Sequence, residues 1–208
     1  MSFFPPLREP DPELPRPRHY PVWPGQQPQN WLPRALGWSV ELARTQDTAV
    51  WLTDAFAYPQ GMTFTVRTLQ RPGTEADEPR HWRQQHSPGT ALRVGVMAAD
   101  GRRALAEDER LPSPESAAQD PSALHLSPHE GGGDGLSFRQ VYWLWPLPPA
   151  GPLRIYCEWR DRGVPETSVE LDAGEAVAAA SRAVELWPMP QPPEGEESGG
   201  GWWMYGGR

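Results

Sequence analysis

The chain reads as an all-β, antiparallel protein, and three observations carry that reading. Phe138, Val141, Tyr142, Trp143, Leu144 and Trp145 make residues 138–145 almost wholly aromatic, β-branched or long apolar, which suits a buried pleated strand. Successive side chains of a strand face opposite ways, so Phe138, Tyr142 and Leu144 share one side and Val141, Trp143 and Trp145 the other. A strand apolar on both faces needs cover on both. Residues 153–160 alternate, with Leu153, Ile155, Cys157 and Trp159 set against Arg154, Tyr156, Glu158 and Arg160, as in a half-buried strand. Similar short alternating stretches recur along the chain, separated by turn residues.

Residues 1–34 form a proline-rich arm carrying Trp23 and Trp31, with Pro-x-x-Pro spacing at Pro12 to Pro15 and at Pro21 to Pro24. Polyproline II is the expected local conformation, with the tryptophans packed on the domain. The sandwich is expected over residues 35–187. Leu36, Trp38, Val40 and Leu42 alternate with Gly37, Ser39, Glu41 and Ala43. Gln46-Asp47 turns the chain, after which Val50, Leu52, Phe56 and Tyr58 are expected on one face, with Asp54 as the odd member. Pro59-Gln60-Gly61 supplies hairpin chemistry, and Met62, Phe64 and Val66 continue the next strand of a three-stranded meander. A polar loop follows over 71–89. Leu92, Val94 and Val96 point inward on a strand at 90–98, and Ala99-Asp100-Gly101 turns it into a short partner at 102–106.

Residues 107–135 contain acids, prolines, serines and a Gly131-Gly132-Gly133-Asp134-Gly135 tract, too long for an ordinary connection, and are expected to be a mobile loop. Prolines at 146, 148, 149 and 152 separate the two central strands, because proline has no amide donor. Residues 162–165 break the chain, and 167–171 form a last strand. Asp172 is placed to cap a helix over 173–186, with Glu175 at capping-box spacing. Val177, Ala180, Val184 and Trp187 would form its apolar stripe. The tail, 188–208, is proline, acid and glycine, and is expected to be disordered until an aromatic hook, Trp202-Trp203-Met204-Tyr205. The resulting expectation is an antiparallel immunoglobulin-like β-sandwich of about seven to eight strands with one C-terminal helix.

Composition bounds the function classes. Hydrophobic content of 38% with a net charge of −8 leans toward disorder, but 11 tryptophans push back. Each indole can bury on the order of 200 Å². The 27 prolines and 20 glycines gather largely at the ends and in loops. Every one of the 19 basic residues is arginine, which points to a high-GC bacterial genome rather than to an arginine-specific task. An acidic balance opposes nonspecific nucleic-acid binding, which needs clustered cations, and opposes an anionic membrane surface. The first residues lack the basic and apolar regions of a secretory signal, and one cysteine gives no intrachain disulfide, so a cytoplasmic protein is expected.

Candidate chemistry is sparse. His125 and His129, four apart, are the weak candidates for a metal site, although Pro128 intervenes and opposes the helix that would align them. His81 and His86 lie in a polar loop. Cys157 belongs to an inward face and reads as a small core residue. Glu158, Asp161 and Glu166 are interleaved with Arg160 and Arg162, the mixed signs of a solvated edge rather than an acid–base pair. Asp54 interrupts an inward face, which marks a bulge, a register shift, or a partner such as Arg44 or Arg67. Four large apolar residues in Trp202, Trp203, Met204 and Tyr205 need burial somewhere, which makes them, with Asp54, the candidates for partner binding.

Several strings are distinctive: Ala43-Arg44-Thr45 with Ala49-Val50, residues 57–64 (Ala-Tyr-Pro-Gln-Gly-Met-Thr-Phe), residues 142–149 (Tyr-Trp-Leu-Trp-Pro-Leu-Pro-Pro), Glu158-Trp159 and Pro165-Glu166-Thr167. In these the chain resembles a family of uncharacterised actinobacterial proteins, over roughly residues 15–187. The resemblance implies a β-sandwich and a bacterial source, and implies no activity or functional residue. The expectation is therefore a non-enzymatic interaction or scaffold module, with a protein partner or self-association and without a cofactor. The alternatives are a metal-assisted enzyme using the loop histidines and a sugar-like ligand site on exposed tryptophans.

Overall fold

In the chain's first long hairpin, two strands rich in β-branched residues pair through most of their length: β4 (Thr48–Tyr58) against β5 (Gly61–Gln70). A computed structural model describes residues 25–73, 91–106 and 122–188, which belong to one compact unit. Before the hairpin come β1 (Trp31–Leu32), β2 (Arg34–Leu36) and β3 (Val40–Arg44). After it come β6 (Arg93–Met97), β7 (Arg103–Leu105), β8 (His125–Gly133), β9 (Ser137–Trp145), β10 (Pro152–Trp159) and β11 (Val164–Asp172). Helix α1 (Ala173–Ala180) and β12 (Val184–Glu185) follow. All pairings are antiparallel. The larger sheet runs β2-β4-β5-β9-β8, with β3 also on β4; the smaller runs β11-β10-β6-β7; β1 and β12 make a two-stranded ribbon.

The two sheets enclose one core. Val50, Leu52, Phe64, Val66, Leu126, Tyr142 and Leu144 come from the larger sheet, and Val94, Val96, Leu153, Ile155, Cys157 and Trp159 from the smaller. Register partners Phe64 and Tyr142 stack with centroids 5.6 Å apart. This is the all-β, sandwich-like class that the sequence predicts. The described residues hold twelve strands, more than the seven to eight expected, because the strand over 36–43 is split in two and β1, β8 and β12 are added. Among the described residues no helix is long and apolar enough to cross a membrane.

The expectation of cover on both faces holds for the end of the strand, 142–145, whereas Arg139 is exposed on the outer face. On the outer face of the larger sheet Tyr58, Trp143 and Trp145 form a second buried cluster with Trp31 against it. The Trp143 indole donates to the Gly25 carbonyl at 2.7 Å, and Gln27 donates to the Tyr58 hydroxyl at 2.8 Å. Tyr58 meets Trp143 edge-on at 5.5 Å. The last ten residues of the proline-rich arm, 25–34, are thus part of the packed body, and the remainder of the arm lies outside the described residues.

Four expectations are corrected. The continuous strand over 36–43 is split at 37–39 into β2 and β3; Trp38 is buried there and donates its indole N–H to Glu175 at 2.9 Å. The inward face of β4 changes sides at Asp54, whose φ of 50° sits in a register shift between Thr53 and Phe56. Before it Val50 and Leu52 face the core; after it Ala55 and Ala57 do, while Phe56 is exposed and Tyr58 joins the outer cluster. The mobile loop expected over 107–135 is corrected in its second part, where His125–Gly133 is a strand paired with β9; residues 107–121 lie outside the described residues. The strand's glycines are what let it pair so closely: a Cβ on Gly131 would collide with Gln140 Oε1, and one on Gly133 with the Ser137 carbonyl.

The helix stops at Ala180 rather than 186, and its buried face is Ala173, Ala176, Ala179 and Ala180. Val177, Val184 and Trp187, expected as its stripe, are exposed. Asp172 caps the helix as expected, accepting from the Gly174 amide at 2.8 Å. The chain leaves the helix because Asn30 and Arg34 hold its continuation. Asn30 donates to the Glu185 carboxylate and the Trp187 carbonyl, the Leu186 amide donates to the Asn30 carbonyl, and Arg34 donates to the Arg182 carbonyl.

Candidate functional site

The structure separates most of the residues that the sequence singles out. His125 and His129 both lie on β8, and four residues of extended chain put about 13 Å between their Cα atoms, too far to share one ion. His125 stacks on Trp145 with centroids 5.5 Å apart, and its buried Nε2 has no hydrogen-bond partner among the described residues. His129 occupies the bulge between Pro128 and Gly131, where burial pushes its imidazole below the ordinary histidine value against the opposing pull of Glu130. His81, His86 and Trp202-Trp203-Met204-Tyr205 lie outside the described residues. Asp54 is exposed at its bulge, where its left-handed backbone explains why it interrupts an apolar face.

Cys157 is buried and its thiol is pushed up by burial, the opposite of what a nucleophile needs. Thr167 Oγ1 spends its one hydrogen on the Leu42 carbonyl at 3.0 Å, so the thiol is the donor in its 3.3 Å contact with that oxygen. Glu158 accepts from Arg160 and from Arg93, each at 2.8 Å, and these contacts hold its carboxyl below the usual range. It is an ion-pair acceptor, with no proton to give at neutral pH.

What the fold does bring together is a row across the outer face of the larger sheet. Trp51, Arg67, Arg139 and Gly132 are successive register partners on β4, β5, β9 and β8. Directly opposed residues share a face, so the three side chains point the same way with Cβ atoms about 5 Å apart from strand to strand. Arg67 sits 6.0 Å from the centroid of the Trp51 ring, a cation–π contact. Both arginines are exposed. Two like charges directly opposite each other on a sheet repel, which costs stability unless an anion joins them. Beside them lies an open groove of about 280 Å³ lined by Trp51, Arg67, Gly132, Ser137, Phe138 and Arg139.

Gly132 differs from its neighbours in the glycine tract. Among the described residues a Cβ built on it meets no atom within 4 Å, so packing there does not demand glycine, and the missing side chain leaves a notch next to Arg139. Each guanidinium presents planar N–H donors suited to carboxylate oxygens, and Trp51 adds an apolar wall. Among the described residues the row brings together no nucleophile, base and oxyanion donor. Sequence reasoning missed this row. Arg67 surfaces there only as a partner for Asp54, and the pairing of Arg67 with Arg139 depends on a register between strands far apart in the chain.

No protein-family model, curated protein or solved structure matches this chain, so the reading of the site rests on its own geometry.

Proposed function

We propose that the chain is a non-enzymatic protein-interaction or scaffold module, an immunoglobulin-like sandwich that meets an acidic partner through the Trp51–Arg67–Arg139 face, with the aromatic hook Trp202-Trp203-Met204-Tyr205 as a second contact. One observation carries the reading. Tyr58, Trp143 and Trp145 on the outer face of the larger sheet are met by the chain's own residues 25–31, through Trp31, Gly25 and Gln27. Farther along that face, among the described residues, two exposed arginines stand in direct register, with Leu69 beside them 49% exposed. In a chain of net charge −8, two exposed cations that meet no carboxylate among the described residues favour a partner that brings one.

The test is affinity capture from an extract of the source organism, comparing the natural protein with the Arg67→Glu/Arg139→Glu double variant. A partner recovered in stoichiometric amount by the first and at least tenfold less by the second, with an unchanged melting temperature, is the expected result. Equal recovery on both resins removes this face from the reading. A sugar-like ligand stacked on Trp51 is the second reading, favoured by the size of the groove; saturation-transfer NMR with neutral sugars gives it a signal that Trp51→Ala abolishes.

A further inference from the structure

Among the described residues β8 is hydrogen-bonded on one side only, to β9, so its other side presents the backbone donors and acceptors of an edge strand. Edges of this kind are usually blunted by charge, bulk or a covering segment. Here the stretch beyond the bulge is Gly131-Gly132-Gly133, without any side chain. Two of these glycines are accounted for by packing: Gly131 makes room for Gln140, which donates to the Glu130 carbonyl at 3.2 Å, and Gly133 lets the chain enter the turn to β9. Asp134 closes that turn by accepting from the amides of Leu136 and Ser137 at 2.9 and 2.7 Å. Gly132 has no such reason. Among the described residues nothing lies within 4 Å of where its Cβ would stand, and its register partner across is Arg139.

We infer that β8 receives an extended acidic peptide as an added strand, with an aspartate or glutamate laid over Gly132 onto Arg139 and Arg67. This rests on the reading of the outer face as a partner-binding surface and names the partner's chemistry. A strand added beyond β8 stands two strand spacings from β9, about 10 Å. Over any other residue a side chain would fill that gap; over Gly132 an acidic side chain and the long Arg139 side chain meet across it. The carboxylate removes the repulsion between two opposed guanidiniums, while the backbone ladder supplies sequence-independent affinity. Specificity then lies in alternate residues of the peptide, the one opposite Gly132 being acidic.

The experiment selects binders from a displayed library of random ten-residue peptides on the full-length protein. The strongest are then synthesised, each beside a counterpart with Gln for Glu and Asn for Asp, and titrated by fluorescence anisotropy. Selected peptides should carry an acid at alternate positions, and neutralising that acid should weaken binding at least tenfold. Gly132→Val, a substitution with open space to occupy and a strand-favouring side chain, should keep the melting temperature and weaken binding equally. Arg139→Gln should do the same without adding bulk. Binding should also slow amide exchange in residues 129–133. Selected peptides with no acidic preference, no selected peptide at all, or full affinity in Gly132→Val each overturn the proposal. If Gly132→Val keeps the cellular partner that Arg67→Glu/Arg139→Glu loses, the outer-face reading survives and the added strand does not.

Discussion

Trp159 shows how much one side chain carries in a core short of aliphatics. It is buried between the sheets, and the Arg162 guanidinium lies 5.8 Å from its ring centroid. Leu153, Ile155 and Cys157 precede it on the same face, all buried as their alternation predicts. Trp159→Ala leaves a void that neighbours on two strands cannot close, and should cost roughly 3–5 kcal/mol. Urea unfolding measures it, and a change under about 1 kcal/mol would show the ring dispensable. Trp143 is equally buried on the opposite side of its sheet, where its indole N–H is satisfied by Gly25. These tryptophans explain how a composition near the disordered range folds.

At the scale of elements, β4 is the informative case. Two-residue alternation assigns Val50 and Leu52 correctly and then fails at Phe56, because one bulged residue exchanges the faces of everything after it. That exchange puts Ala55 and Ala57 against the core and delivers Tyr58 to the outer tryptophan cluster. Asp54 is the residue that adopts the left-handed conformation, which a short polar side chain tolerates and a β-branched one does not. Asp54→Gly should therefore be neutral or stabilise by up to about 1 kcal/mol, and Asp54→Val should cost about 1–2 kcal/mol. Equal denaturation midpoints for the two variants would show that the bulge does not constrain this residue. The glycine tract of β8 misleads in the same way: flexible by composition, it is a strand because Gln140 and the turn to β9 occupy the space side chains would need. For the helix, local signals gave the start at Asp172, whereas its end is set by Asn30 and Arg34 from the other end of the chain.

At the scale of the whole chain, both buried clusters among the described residues are drawn from 31–180. The aromatic hook is separated from that span by four prolines, at 188, 190, 192 and 193, and by Gly199-Gly200-Gly201. Removing residues 195–208 should therefore shift the melting temperature by less than about 2 °C, under 1 kcal/mol for a chain of this size. It should also lower recovery of the partner captured through the outer face. A drop of many degrees would instead make the hook a clasp of its own domain and remove it from the proposed interface.

The sequence alone determined the class of fold, the meander, the two central strands and the inward rows on β6 and β10, because each follows from a two-residue period within a few neighbours. It also determined the helix cap, a matter of local hydrogen bonding. Only the tertiary structure decided the face change at Asp54, the strand over the glycine tract, the early end of the helix and the row of Trp51, Arg67, Arg139 and Gly132. Each of these depends on which distant strand lies alongside, and pairing register is fixed by packing over the whole sheet rather than by the composition of any one stretch.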